Sequence, residues 1–327
     1  MRAMVLEKPG TELRLVETPQ PTPKDQQVVI KVRACAVCRT DLHLVDGELP
    51  DIRYPLIPGH QVVGEITAVG GRAELAVGAR VGVAWLGWTC GDCEYCASDR
   101  ENLCDRARFN GYHVDGGYAE YMLADSRYCF PLDSSEPAEQ IAPLLCGGLI
   151  GYRCLRLTGE AEKVGIYGFG SAAHLVTQAA IYQGREIYAF TRPGDEAAAV
   201  FAGELGAVWV GGSDQPAPEP LDAAIIFAPV GALVPKALKD LKKGGKVICG
   251  GIHMSDIPRF PYADLWGERE IRSVANLTRQ DGNEFLKLAR DAKITAQIQT
   301  YALEEANAAL AALRTGAITG TAVLVID

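Results

Sequence analysis

Four cysteines fall within fifteen residues, as Cys90-x2-Cys93-x2-Cys96-x7-Cys104, and no other feature restricts so sharply what this chain can fold into. Spacers of two residues let thiols converge on one ion but are too tight for several unstrained disulfides. The loop around them is polar, with Asp92, Glu94, Asp99, Arg100 and Glu101, which is a poor setting for buried free thiols. The spacing therefore predicts a closed tetrahedral thiolate set around a structural zinc, with no open coordination position. It also decides between the two readings of ten cysteines, disulfides or metal, in favour of metal.

At 327 residues the chain is long enough for two domains, each with its own core. It is 48% hydrophobic and 22% charged, with mean hydropathy +0.03, the composition of a soluble globular protein. No apolar run reaches the ~20 residues a membrane span needs. Met1 to Gly10 carries Arg2, Glu7 and Lys8 and lacks the long apolar region of a secretory signal, so it reads as the first strand of a cytoplasmic protein. A net charge of −9 opposes a nucleic-acid surface, which needs basic patches.

Residues 1–150 show short β segments such as Gln27–Ala34 and Ala79–Ala84, interrupted by Pro55, Pro58, Gly59 and Gly70–Gly71, the texture of an irregular, mainly β domain. From Glu162 the texture becomes apolar strands alternating with Ala-rich helices. The expected strands are Val164–Tyr167, Glu186–Phe190, Val208–Val210, Ala223–Ala228, Lys246–Cys249 and Glu270–Ala275, with helices from Ser171, through Leu205 and around Pro235. About six parallel strands in βαβ rhythm predict a doubly wound sheet. The tail holds helical stretches at 282–292 and 303–315 and a strand Ala322–Ile326, expected to return to the first domain. Asp214–Pro220, with three prolines, reads as a surface loop.

Gly168-Phe169-Gly170-Ser171-Ala172-Ala173 follows a predicted strand and opens a predicted helix, the context in which Gly-x-Gly-x-x-Ala signals a dinucleotide site. Gly168, Gly170, Ser171 and Ala173 are its candidate residues, with the pyrophosphate at the helix N-terminus. Thr191 stands at the end of the second strand of the unit, where a carboxylate would accept from an NAD ribose, and Arg192 beside it can bind a 2′-phosphate. This predicts NADP(H) in preference to NAD(H), with NAD(H) possible. A second scattered set holds Cys38, His60 and Cys146. Taken singly, each is also what a buried cysteine or a satisfied core histidine would give.

In this order, Cys38-Arg39-Thr40-Asp41-Leu42-His43, Gly59-His60-Gln61, the cysteine lobe, Leu145-Cys146-Gly147 and the glycine turn resemble the zinc-containing medium-chain alcohol dehydrogenases over essentially the whole chain. The resemblance implies a GroES-like catalytic domain from residues 1–147 and 276–327 and a Rossmann domain from 148–275, an α/β fold overall. It implies that Cys38, His60 and Cys146 bind a catalytic zinc with an open position, for two zinc ions per chain. Such a zinc polarises the substrate oxygen. Thr40 and His43 then resemble the family's proton relay, in which the histidine is the base at the solvent end of a path through the nicotinamide ribose. Asp41 resembles the carboxylate that orients the ligand histidine. Arg39 and Arg279 resemble arginines that grip the pyrophosphate, and Trp85 a substrate-pocket aromatic. Gln61 departs from the commoner Glu, removing a charge near the zinc.

The implied activity is hydride transfer between a small alcohol, or the aldehyde or ketone in reverse, and a nicotinamide dinucleotide, by a homodimer or homotetramer. Two alternatives stay open. One is a zinc-free quinone or enone reductase on the same scaffold, against which the full ligand set argues. The other is a non-catalytic, zinc-stabilised binding protein, for which Thr40 and His43 would have no use.

Overall fold

Valine, isoleucine and alanine dominate the run Gln27–Val37, and in the computed structural model, which describes residues 1–132 and 136–327, that run is an eleven-residue strand. Most of its residues are buried, so it reads as a nearly continuous apolar stretch. It lies inside a seven-stranded sheet, antiparallel to Val62–Val69, Tyr121–Asp125 and Thr321–Val325. Register shifts at Val29/Ile30 and Val32/Ala34 bend it where it pairs with Val62–Val69. Arg80–Val83 and Cys129–Pro131 complete one side, and Ile298–Ala302 lies beyond Thr321–Val325 on the other. The core beneath is built from Val28, Ile30, Val32, Ile66, Val81, Met122 and Leu324. Outside it, Leu86–Trp88 and Arg108–Phe109 form a two-stranded ribbon at the base of the cysteine lobe.

The chain divides into two compact units, Met1–Cys146 with Leu277–Asn283 and Ala296–Asp327, and Gly147–Asn276 with Glu284–Thr295. The second unit carries six parallel strands in the order Trp209–Gly212, Glu186–Thr191, Lys163–Tyr167, Leu221–Ile226, Leu241–Cys249 and Glu270–Ser273. Starting from Lys163–Tyr167 the order runs outward first one way and then the other, the doubly wound arrangement expected from the βαβ rhythm. The mixed α/β class is thus confirmed. Tyr167 stacks on Phe190 with ring centres 4.1 Å apart, and Trp209 lies 4.9 Å from Phe190. The Tyr167 hydroxyl and the Lys236 ammonium both reach Asp240, which is 8% exposed, so a buried carboxylate in this core is neutralised in place.

Element bounds move by a few residues, and in the tail one strand is new. Ile298–Ala302 pairs in parallel with Thr321–Val325 but leaves most of its side chains half-buried or exposed, so no apolar alternation announces it. The stretch 303–315 is a single turn of 3₁₀ helix, Leu303–Glu305, followed by the helix Ala306–Thr315. Among the described residues no helix is long and apolar enough to cross a membrane.

Candidate active site

Cys38 sits between the strand Gln27–Val37 and the helix Arg39–Asp46, as that helix's N-cap. Its Sγ accepts the Thr40 backbone N–H at 3.3 Å, while its own N–H donates to Asp41 Oδ2 at 2.9 Å. This is a capping box with a cysteine in the place of serine, and it anchors the thiol, Thr40 and Asp41 as one unit. His60 precedes the strand Val62–Val69, whose pairing of Val62 with Cys35 carries the histidine to the same sheet end. The Cys38 Sγ lies 3.2 Å from His60 Nε2. Cys146 follows the 3₁₀ helix Ala142–Leu145, and the ligand atoms of all three residues lie within 4.8 Å of one another.

A hydrogen bond from the Cys146 thiol holds Cys38 well below the usual thiol range, against burial, and the nearby imidazole adds to this. Cys146, the partner that donates to Cys38, is pushed well up. Burial would lower His60, but the charges of Cys38 and Asp41 raise it to about 10. Two sulfurs and an imidazole that compete for protons suit a cation, which replaces those protons on binding. Behind the ring, Asp41 Oδ1 stands 3.4 Å from His60 Nδ1. That is an ion-pair distance but too loose for a good hydrogen bond, and neither atom has a hydrogen-bond partner among the described residues. Gln61, 1% exposed, donates from Nε2 to the Ala36 carbonyl at 3.3 Å, a bond that a glutamate could not make when ionised.

Trp85 belongs to an aromatic wall beside this set. Its ring stacks on Phe109 at 4.2 Å and on Tyr112 at 6.1 Å, and lies 6.3 Å from the His60 ring. Leu44, Leu49, Ile52 and Leu56 pack against the same cluster. Arg39 is exposed on the first turn after Cys38, and His43, on the same helix, is mostly covered.

Cys90, Cys93, Cys96 and Cys104 also bring their sulfurs within 4.8 Å, and all ten cysteines are free thiols. Cys90 is lowered to about 7: the Asp92 carboxylate works against this, and the amides of Asp92 and Cys93 and the Cys104 thiol prevail. The lobe is wired outward. Cys96 Sγ donates to Thr89 Oγ1 at 3.3 Å, and Thr89 meets the Tyr128 hydroxyl at 2.6 Å. Arg279 lies over the Tyr128 ring at 5.1 Å, and its backbone N–H and Nε donate to Glu101 Oε1 at 2.9 and 3.3 Å. Glu101, inside the lobe and 5% exposed, thus helps cap the helix Arg279–Asp291, together with Asp281, which accepts from Thr278 at 2.8 Å.

In the second unit the strand Lys163–Tyr167 runs through the glycine turn into the helix Ser171–Tyr182. Gly168 has φ +89°, and a Cβ there would stand 2.8 Å from the Ala228 amide nitrogen. A Cβ on Gly170 would meet nothing within 4 Å, and no side chain caps the helix. Open space over uncapped first-turn N–H groups is what a pyrophosphate requires. Ala173 is fully buried, and Thr191 is buried at its strand end, with Oγ1 3.5 Å from the Gly211 carbonyl. Arg192 is exposed, and nearby Asp195 caps the next helix by accepting from Ala198 N–H at 3.0 Å.

Two residues that contact this machinery carry no local motif: Glu101 on Arg279 and Glu48 on His43. An acidic residue just beyond a helix-ending glycine is the one available hint for Glu48.

Residues 24–134 match the model of the alcohol dehydrogenase GroES-like domain. The chain is 43% identical, over 100% of its length and 97% of the relative's, to a protein of Mycobacterium tuberculosis described as "Probable alcohol dehydrogenase AdhA". It is 36% identical to an alcohol dehydrogenase of Geobacillus stearothermophilus, covering 100% of each. A solved cinnamyl alcohol dehydrogenase from Sorghum bicolor superposes with a TM-score of 0.88 at 26% identity, covering 100% of this chain and 97% of that one.

Proposed function

The chain belongs to the medium-chain zinc-dependent alcohol dehydrogenases, as an NAD(P)-dependent member, and from that premise we propose which of its residues carry the reaction. The observation that carries the proposal is the convergence of Cys38, His60 and Cys146, from three separate stretches of sequence, within 4.8 Å. They would hold the catalytic zinc, and Cys90, Cys93, Cys96 and Cys104 a second, structural one. The catalytic metal would supply a Lewis acid for the oxygen of the alcohol or carbonyl.

The protein's own groups do the rest. Asp41 orients His60 from behind, leaving Nε2 toward Cys38. Thr40, fixed by the capping box, offers its hydroxyl to the substrate hydroxyl, and His43 accepts the departing proton and passes it to water. Trp85, with Phe109 and Tyr112, forms an apolar wall suited to the substrate's hydrocarbon part. Gly168, Gly170 and Ser171 would receive the pyrophosphate, with the buried Ala173 letting the helix pack close to the sheet behind them and with Arg39 and the outer N–H groups of Arg279 as further anion partners.

NADP(H) is the preferred cofactor in this reading. Thr191 is neutral, Arg192 is exposed, and the Asp195 carboxylate is engaged in capping. A charge-assisted bond from Arg192 to a 2′-phosphate would contribute ~1.5–3 kcal/mol, on the order of ten- to a hundredfold. Steady-state kinetics on primary, secondary and aromatic alcohols and aldehydes with both cofactors test it. Arg192→Ala should lose NADP(H) efficiency selectively, and a higher kcat/KM with NAD(H) in the wild type would reverse the assignment.

A further inference from the structure

The chain turns back on itself directly after His43, and the turn lays a carboxylate against the imidazole. The helix Arg39–Asp46 ends at Gly47, whose φ of +73° is open chiefly to glycine, and a Cβ there would also stand 2.7 Å from Cβ of Pro9. Gly47 N–H returns to the Leu44 carbonyl at 3.2 Å and Glu48 N–H to the His43 carbonyl at 2.9 Å. These are the paired bonds of a Schellman cap. The backbone thus ties Glu48 to the residue its side chain meets, with Glu48 Oε2 2.5 Å from His43 Nδ1.

The His43 side chain is 13% exposed and that of Glu48 52%. A half-open pair of this kind contributes little to stability, so its consequence is for the ring itself. A carboxylate at Nδ1 keeps the proton there and leaves the lone pair on Nε2. Asp46 also lies in the electrostatic field of His43, but Arg314 holds both its oxygens, at 2.6 and 2.7 Å. Glu48 is bonded to the ring at Nδ1.

We infer that Glu48 is a positioning residue for proton transfer, fixing His43 as the Nδ1–H tautomer so that Nε2 is the proton acceptor. This rests on the reading of His43 as the base. The substrate O–H bond breaks and the proton is received at Nε2, giving an imidazolium that Glu48 stabilises. Loss of the Nε2 proton to water then restores the neutral ring.

The test uses the zinc-loaded enzyme as wild type, Glu48→Ala, His43→Gln and the double variant. Glu48→Ala should lower kcat for alcohol oxidation about three- to tenfold near pH 7, with the deficit shrinking above about pH 9, where hydroxide substitutes for the base. The KM for cofactor should change less than kcat. The double variant should be no slower than His43→Gln, because both changes act on one group. The chain has five histidines, so ¹⁵N-histidine spectra of the resting enzyme can be assigned by loss of a signal in His43→Gln. They should show His43 mainly as Nδ1–H in the wild type and as mixed tautomers in Glu48→Ala. Glu48→Ala losses that multiply onto those of His43→Gln, or an unchanged tautomer, would overturn the role of Glu48 and leave the base in place. A wild-type pH–rate profile in His43→Gln would overturn both.

Discussion

The two cysteine-containing sites hold their donors together by opposite uses of the chain. In the lobe, four ligands lie in one loop, closure costs little entropy, and the apolar support is small: Leu86, Cys104, Ala107 and Tyr128. The dispersed set draws Cys38, His60 and Cys146 to the end of a seven-stranded sheet with an extensive core. A loop of the first kind would depend on a bound metal for its shape, and four thiolates would leave nothing open. A site of the second kind takes its shape from the sheet, so three ligands suffice and a position stays available for chemistry.

The contrast breaks most directly at the dispersed set. Cys38→Ser or His60→Ala should lower turnover by at least about a thousandfold, because the Lewis acid is lost, while dinucleotide binding followed by fluorescence persists. Undiminished alcohol oxidation in either variant would refute the assignment of these ligands. At the lobe the expected loss is of structure. Cys93→Ser should reduce zinc from two per chain to one, lower stability by about 3–5 kcal/mol and open the 90–104 loop to proteolysis. A wild-type stoichiometry of one that survives Cys93→Ser would mean the lobe holds no metal.

Acid would compete for the ligands of both sites, so the comparison needs a reference for the dinucleotide unit itself. Burial lowers His174, on the helix after the glycine turn, from its ordinary 6.5 to about 4. Its folded-state proton affinity is depressed, so the unfolded chain takes up the proton first as pH falls. Stability is then complete above about pH 6.5 and declines by about 3 kcal/mol toward pH 4. Urea midpoints measured against pH should show this decline, and His174→Gln should flatten it. An unchanged slope in the variant would assign the pH dependence elsewhere. The smallest effect concerns the outward wiring of the lobe. Glu101→Gln keeps an acceptor for the Arg279 amide but removes the charge at the helix N-terminus, and should cost about 1 kcal/mol in thermal stability. A variant as stable as wild type would show that the lobe and the helix Arg279–Asp291 are energetically separate.

What could be read from the sequence was what neighbouring residues decide among themselves. The cysteine spacing puts four sulfurs within reach of one another inside a single loop, so the set is legible before its supports Leu86 and Tyr128 are known. Gly168-x-Gly170 in a strand–turn–helix context specifies its own turn, because the strained φ and the open space over Gly170 are local requirements. The apolar rhythm after residue 162 carried the doubly wound sheet for the same reason. The dispersed ligands were legible only through family resemblance, since nothing local distinguishes Cys38 or Cys146 from a buried thiol. Tertiary structure alone decided that Cys38 meets His60 at 3.2 Å, that Glu101 caps a helix far along the chain, that Ile298–Ala302 is a strand and that Phe109 and Tyr112 join Trp85. Such contacts follow from sheet register and from packing between distant segments, and residues far apart in sequence carry no mark of which partner the fold will bring.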